Sequence, residues 1–286
     1  MSVKLCAVRA LSPIHCGTGQ AIGGIDLPIA RERPTNIPLI PGSSFKGVLR
    51  AMGTVEPVHL AVFGPEPKNA SDNAGSVQFS DLNLLFLPVR SLRATFAWVT
   101  CEYMLRRFVR DAKEAKKDLP ALPAAPLSTQ AKLGSDRLKV PPERVIFEDF
   151  DFEAKQDPAW ATWLQKAASI LMTTSDDQQR FVQRACLVDE DVMAVLLETS
   201  MEVTARNRID PETHTVAKGA LWTEEALPVE SILTGLVVAT PVAQGSGPAL
   251  SVAQLLGHVE TLVGRGAVQV GGKGTVGRGM CEVRLT

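Results

Sequence analysis

No hydrophobic run in this 286-residue chain is long enough to cross a bilayer. The longest, such as "ILTGLVVATPVA", are interrupted by glycine and proline. The opening "MSVKLCAVRALSPI" lacks the charged start, unbroken apolar core and cleavage site of a secretion signal, so a cytoplasmic protein with no membrane partner is expected. Cysteine offers no framework either. Cys6, Cys16, Cys101, Cys186 and Cys281 are odd in number, widely spaced and never C-x-x-C, which argues against a zinc knuckle or a disulfide scaffold. A strong charge excess is also missing: the net charge is −1, not the basic balance common in nucleic-acid binders. What remains is an ordinary globular composition, 45% apolar and 21% charged, in a chain long enough for one large domain or two small ones.

The few charges that matter are unevenly placed. Residues 31–50 carry Arg31, Arg33, Lys46 and Arg50 against only Glu32, whereas 186–230 is acid-rich and holds only Arg206, Arg208 and Lys218 as cations. That polarity suits a subunit with a cationic groove and acidic faces elsewhere.

Periodicity places the elements. Residues 3–11 alternate as a first strand, while 15–43, broken by glycine and proline, keep no period and read as a long loop. In "GSSFKGVLRAMG" the apolar Phe45, Val48, Leu49 and Met52 fall on one helical face, with Ser43 or Ser44 as N-cap and Gly53 as stop. Lys46 and Arg50, four apart, share the neighbouring face. Residues 76–90 read as strand and 100–117 as helix. The Pro/Ala-rich 119–127 and the acidic 143–153 suggest an insertion over 91–160 within a single domain, 1–286. "DEDVMAVLLET" reads as a short helix capped by Asp189. "EVTARNRIDPETHTVAKGALW" reads as a β-hairpin over 200–222 with Arg206 and Arg208 on one side. "SVAQLLGHVETLVG" is the clearest helix, capped by Ser251 and stopped by Gly264. Strands and helices mix without regular alternation, so the fold class is α+β.

"GGKGTVG" contains G-x-G-x-x-G at Gly272, Gly274 and Gly277, but only a short strand-like tail follows, so no helix opens there and no dinucleotide fingerprint is formed. The residues still suit an anion: a glycine-rich connection carrying Lys273 and Arg278 brings backbone N–H groups close. A helix start with Ser43 and Ser44, flanked by Lys46 and Arg50, is a second such cradle. Two cradles and an arginine-bearing hairpin imply a polyanion longer than a nucleotide, and a nucleic-acid backbone is the natural candidate.

"LSPIHCGTGQAIGGIDLPIARERPTNIPLIPGSSFKGVLR" resembles the opening of the repeat-associated RNA-binding (RAMP) superfamily of CRISPR effectors. "GGKGTVGRG" is similar to its glycine-rich signature, and "RIDPETHTVAKGALWTEEALP" to its thumb hairpin and the segment after it. The match leans towards the target-cleaving backbone subunits of type III-B (Cmr) complexes, with type III-A as the nearest relative. The resemblance implies a modified ferredoxin-like (RRM-like) core with a long insertion and a thumb-like hairpin. It implies copies stacked in a helical filament along guide RNA beside other effector subunits, and cutting of single-stranded target RNA at six-nucleotide spacing. It points to Asp26 as the essential carboxylate and to Glu224 as a second site residue. The tyrosine the family pattern places two residues later is Ala226 here, which weakens the case for Glu224.

The residue types fit that reaction. RNA cut by its own 2′-hydroxyl needs in-line geometry, which a splayed nucleotide permits. Asp26 could act as base or as a ligand of a divalent ion, Mg²⁺ or Mn²⁺, whose shell RNA oxygens and water would complete. His15, eleven residues earlier, could be acid, base or phosphate contact. The candidate RNA contacts are Ser43, Ser44, Lys46, Arg50, Arg206, Arg208, Gly272, Lys273 and Arg278. Two other functions fit less well: a filament subunit that holds guide RNA without cutting, and a stand-alone processing enzyme.

Overall fold

The computed structural model describes residues 1–19, 24–54, 56–65, 74–240 and 250–286. Gly23, the first glycine before Asp26, lies outside them. From the N-terminus run β1 (Ser2–Ala10), β2 (Leu39–Ile40), α1 (Gly42–Met52), α2 (Pro57–Phe63), β3 (Val77–Phe79) and β4 (Leu82–Arg90). A second stretch holds β5 (Phe96–Cys101), α3 (Glu102–Glu114), β6 (Gln130–Leu133), β7 (Arg144–Phe147), β8 (Phe150–Gln156), α4 (Pro158–Leu171), α5 (Ser175–Arg184), β9 (Ala185–Val188) and α6 (Glu190–Thr199). The hairpin β10 (Glu202–Ile209) and β11 (Val216–Ala226) follows. The chain closes with β12 (Ile232–Ala239), α7 (Val252–Val263), β13 (Val268–Gln269) and β14 (Met280–Leu285).

The fold is α+β around one large sheet. Its central strands run β14–β1–β12–β4, each antiparallel to its neighbour. In chain order these strands and α1 and α7 spell β-α-β-β-α-β. The run Leu5–Val8 is buried without alternation, as in a strand covered on both faces. α7 packs on β12 and β14, and α3 lies across β4, β5 and β12. Beyond β4 the sheet continues through β5, β9, β6, β8 and β7, with β5 and β9 parallel. Trp160 and Trp163 of α4 stack 5.3 Å apart in the core beneath this half, and Phe108 of α3 meets Trp163 edge-on.

Local signals and tertiary contacts divide the work. α7 begins with the Ser251 cap its sequence announces, completed into a capping box: Ser251 accepts from Gln254 N–H while the Gln254 side chain accepts from Ser251 N–H. Asp189 likewise caps α6. α1 departs from expectation. Its cap is Pro41, and Ser43 and Ser44 lie inside the first turn. The Asp81 carboxylate, from the turn before β4, accepts the Gly42 N–H at 2.8 Å and takes the place of a serine cap. Residues 91–160 do not form a closed insert. Position 160 falls inside α4, and the excursion between β4 and β12 runs on through β9, α6 and the hairpin. The hairpin itself spans 202–226 and stands as a separate two-stranded ribbon.

Gly42 is fixed by close approach. A Cβ there would sit 2.3 Å from the Phe79 carbonyl oxygen and 2.8 Å from Ser80 backbone. Gly42→Ala should therefore destabilise the fold by roughly 2 kcal/mol through backbone strain, read as a lowered midpoint in chemical denaturation.

Candidate active site

The base of the hairpin is pinned by a buried acid. Glu224, on β11 opposite Thr204, is only 2% exposed. Its Oε1 accepts from Lys273 Nζ and from Trp222 Nε1, each at 2.8 Å. Its Oε2 faces Arg206 Nε at 3.6 Å and Arg278 Nε at 3.8 Å. Burial alone would push this carboxyl's pKa up. The Lys273 and Trp222 hydrogen bonds and the surrounding cations hold it below its ordinary value instead. Arg278, 3% exposed, also pairs with Glu202 at 3.3 Å and donates to Thr204 Oγ1. Glu224 is thus an internal anchor between hairpin and glycine-rich loop, not a free acid facing a cleft. Arg278 points inward as well, towards Glu202 and Glu224, and Arg206 and Lys273 are partly neutralised before any ligand arrives. Arg208, further along β10, remains exposed.

Asp26 is tied to the same ribbon. The described residues between Gly17 and Ile40 are not a free loop. They make bridges Gly17–Ile29, Leu27–Glu224 and Arg31–Pro38. Leu27 N–H donates to Thr223 O, and Glu225 N–H donates to Leu27 O, both at 3.0 Å. The exposed Asp26 carboxylate then closes a clasp: its Oδ2 accepts Thr223 N–H at 2.8 Å and Thr223 Oγ1–H at 2.9 Å. These two bonds, backbone first, lower the Asp26 pKa from its ordinary value. Oδ1 takes part in neither bond.

Glu225, two residues after Thr223 on β11, shares its side of the strand and fastens the same segment further along. It is 3% exposed; its carboxylate accepts from Ile29 N–H at 3.0 Å and pairs with Arg31 at 2.5 Å. Its carbonyl oxygen accepts from His15 Nδ1 at 2.7 Å. Since a carbonyl only accepts, His15 Nδ1 carries the proton and Nε2 holds the lone pair when the ring is neutral. His15 O in turn accepts from Gly272 N–H at 2.8 Å. The ring leans over Gly17, where a Cβ would lie 2.7 Å from Nε2, so only glycine leaves that nitrogen room.

Two clefts flank α1. One, of about 700 Å³, is lined by His15, Gly17, Leu27, Ser44, Gly272 and Lys273 among others. The second, of about 500 Å³, holds Ser43, Lys46 and Arg50 against the end of α2 and β3. Arg50 donates to Pro65 O at 2.5 Å, leaving Lys46 as the freer cation. Burial, then the Arg50 charge, lower the Lys46 pKa, so an incoming anion would relieve it. The structure brings His15, Ser44, Gly272 and Lys273 to one cleft and separates Ser43, Lys46 and Arg50 into the other. Among the described residues no group of three or more His, Cys, Asp or Glu forms a metal cluster.

Against this geometry stand the known relatives. The profile of the RAMP superfamily matches residues 7–282. The chain belongs to the RAMP superfamily. A RAMP relative from Pyrococcus furiosus, the CRISPR system Cmr endoribonuclease Cmr4, is 34% identical over 295 residues, covering 100% of this chain and 96% of that protein. The CRISPR system CMR subunit Cmr4 of Saccharolobus solfataricus is 24% identical, covering 99% and 96%. Among solved RAMP structures, oligomeric Cmr4 from Pyrococcus furiosus superposes with a TM-score of 0.76 at 26% identity, over 100% of this chain and 98% of that one. A type III-B Cmr-beta complex bound to cognate target RNA holds a chain of the same fold, TM-score 0.75 at 18% identity, covering 100% and 97%.

Thr223, Glu225 and Arg31 are site residues that sequence reading missed. The signal was thin: alternation along β11 sends Thr223 and Glu225 to one side and Glu224 to the other, but nothing local names their partners nearly two hundred residues away. The clasp predicts that Asp26 titrates below an ordinary aspartate and stays ionised through mildly acidic pH. Thr223→Val, which removes one of its two donors, should move the Asp26 carboxyl resonance midpoint upward, towards the ordinary value. An unchanged midpoint in carbon-13 NMR would mean that the clasp does not form.

Proposed function

We propose that this chain is a backbone subunit of a type III-B CRISPR ribonucleoprotein that binds guide RNA and cuts bound target RNA. The observation that carries the reading is the placement of Asp26. An ionised, exposed carboxylate is held at the base of a projecting ribbon, beside a cleft lined by an imidazole, a helix start and a glycine-rich loop. Full-length similarity to a Cmr4 endoribonuclease supports it. The strand order β14–β1–β12–β4 with α1 and α7 is that of an RRM-like core, and β10–β11 is its thumb. In this reading copies stack along the guide, and each thumb splays one base pair at six-nucleotide intervals. Other effector subunits complete the particle, and it works in the cytoplasm. No helix among the described residues is long and apolar enough to cross a membrane.

The chemistry follows from the parts. A stacked duplex holds the ribose 2′-oxygen out of line with the phosphorus and the leaving 5′-oxygen; displacing one nucleotide frees that link to align, and alignment alone supplies much of the rate. Asp26, ionised and with Oδ1 outside the clasp, takes the 2′ proton or orients the group that does. His15, its tautomer fixed by the Glu225 carbonyl, presents Nε2 towards the cleft for proton transfer or phosphate contact. Lys273, Gly272 and the start of α1 stabilise the charging phosphate. Lys46, Arg50, Ser43 and Arg208 hold backbone further along. Glu224 acts by fixing Lys273 and the ribbon, not by touching RNA. Asp26 offers a divalent ion one protein oxygen, which fits an Mg²⁺ or Mn²⁺ ion whose remaining ligands are substrate and water; such an ion would neutralise charge on the phosphate.

Asp26→Ala, assembled with its partner subunits and guide, tests the assignment. Guide and target binding should persist while target cutting falls at least a hundredfold, within the range for loss of a general base. Cutting at the original rate and positions would leave a binding subunit and refute the enzyme.

A further inference from the structure

A further cationic cleft lies elsewhere and plays no part in the reading above. About 720 Å³ in volume, it opens between the β4–β5 turn, a short 3-10 turn at Asp136–Leu138 and the end of α5. Leu92, Arg93, Ser135, Arg137 and Gln183 line it, and it shares no residue with the clefts beside α1. Arg93 and Arg137 are both exposed, and neither guanidinium makes an ion pair or hydrogen bond with a described residue. The one acid at the rim, Asp136, is already paired with Lys139 at 2.7 Å. Arg184, next to Gln183, stacks its guanidinium over the Phe96 ring at 5.0 Å, which fixes a third cation at the same end of the fold.

Arg93 and Arg137, unpaired themselves, sit near further arginines, and this fold makes that arrangement rigid. Burial, then the charges of Arg137 and Arg180, lower the pKa of Arg184 against the opposing charge of Glu230, while Arg180 is itself paired with Asp176 at 2.9 Å. The turn that carries Arg93 holds two non-glycine residues in the left-handed region, Ala94 at φ 60° and Thr95 at φ 74°. For a β-branched residue that backbone is strained. It persists because Ser91 N–H bonds to Thr95 O at 3.1 Å and Leu92 N–H to Ile146 O at 3.2 Å. Ser135 Oγ donates to Gln183 O and accepts from Arg137 N–H, which locks the opposite wall.

We propose that this cleft is a second RNA-backbone site, in which Arg93 and Arg137 grip successive phosphates outside the Asp26 cleft. The inference rests on the reading of this chain as an RNA-binding subunit. The cations here are arginines, whose planar forks match phosphate oxygens two at a time. Beside them Leu92, 66% exposed, offers an apolar plate on which a base or ribose can rest. Phosphates with an adjoining flat apolar group describe a nucleic-acid strand better than an acidic peptide. The site extends the footprint of one subunit well beyond its ribbon.

Titrating the full-length protein into a fluorescein-labelled single-stranded RNA of arbitrary sequence, at several salt concentrations, tests this. Arg93→Glu with Arg137→Glu should weaken binding about tenfold or more. The slope of log affinity against log salt should fall by roughly 1.4 units, since each of the two single-strand phosphate contacts contributes about 0.7. Arg93→Lys with Arg137→Lys should keep most of the affinity. Melting temperature reports folding, and where the reversed pair melts early, Arg93→Gln with Arg137→Gln carries the same expectation. Affinity and slope both unchanged in a folded variant overturn the site. Lys46→Ala separates the two claims. If it weakens binding and the arginine pair does not, this inference falls and the proposed function stands; a wild-type protein that binds no RNA removes both.

Discussion

A buried carboxylate surrounded by three cations organises this molecule's working end. Glu224 joins a projecting ribbon, a C-terminal glycine loop and, through its strand neighbours, the segment that carries Asp26. Burying an unpaired charge costs several kcal/mol, so such an acid persists only while its partners stay in place. That constraint makes the parts mutually dependent. Lys273 cannot leave Glu224 without exposing a charge to the interior, and Arg278 cannot turn outward without abandoning Glu202 and Glu224 together. The ribbon therefore projects from a rigid base although its far half is exposed on both faces.

From that base the functional chain is short. Thr223 precedes Glu224 and clasps Asp26; Glu225 follows it and braces Ile29, Arg31 and His15. Three consecutive residues of one strand thus set the acid, the anchor and the imidazole tautomer. A shift of β11 relative to residues 24–31 would reach the Asp26 carboxylate through the two Thr223 hydrogen bonds.

Local pattern carried much of this. The Ser251 cap of α7, the Asp189 cap and the face shared by Phe45 and Leu49 all rest on residues within a turn of one another, and all appear as expected. So does the α+β mixture. What was illegible depends on partners far along the chain. Ser43 and Ser44 carry the right side chains for a cap, but Asp81 occupies the position from forty residues away. Arg278 and Glu224 looked like ligand-facing charges because sequence shows charge without showing its counter-charge. The expected bound at 160 falls two residues into α4, which begins at Pro158 with its own Asp157 cap and reads like a fresh beginning. The superfamily resemblance singled out Asp26 as a candidate; only the fold shows that Thr223 holds it.

The central claim is that residues 24–31 are strapped to β11 through the Glu224 anchor. Backbone amide exchange at Leu27, Thr223 and Glu225 tests it most directly, because each N–H is a donor in the strap. The account predicts that all three exchange slowly and at a common rate in the wild type, and that Glu224→Gln accelerates them together. A Leu27 amide exchanging at the rate of an open loop, or three amides indifferent to the loss of the Glu224 charge, would contradict it.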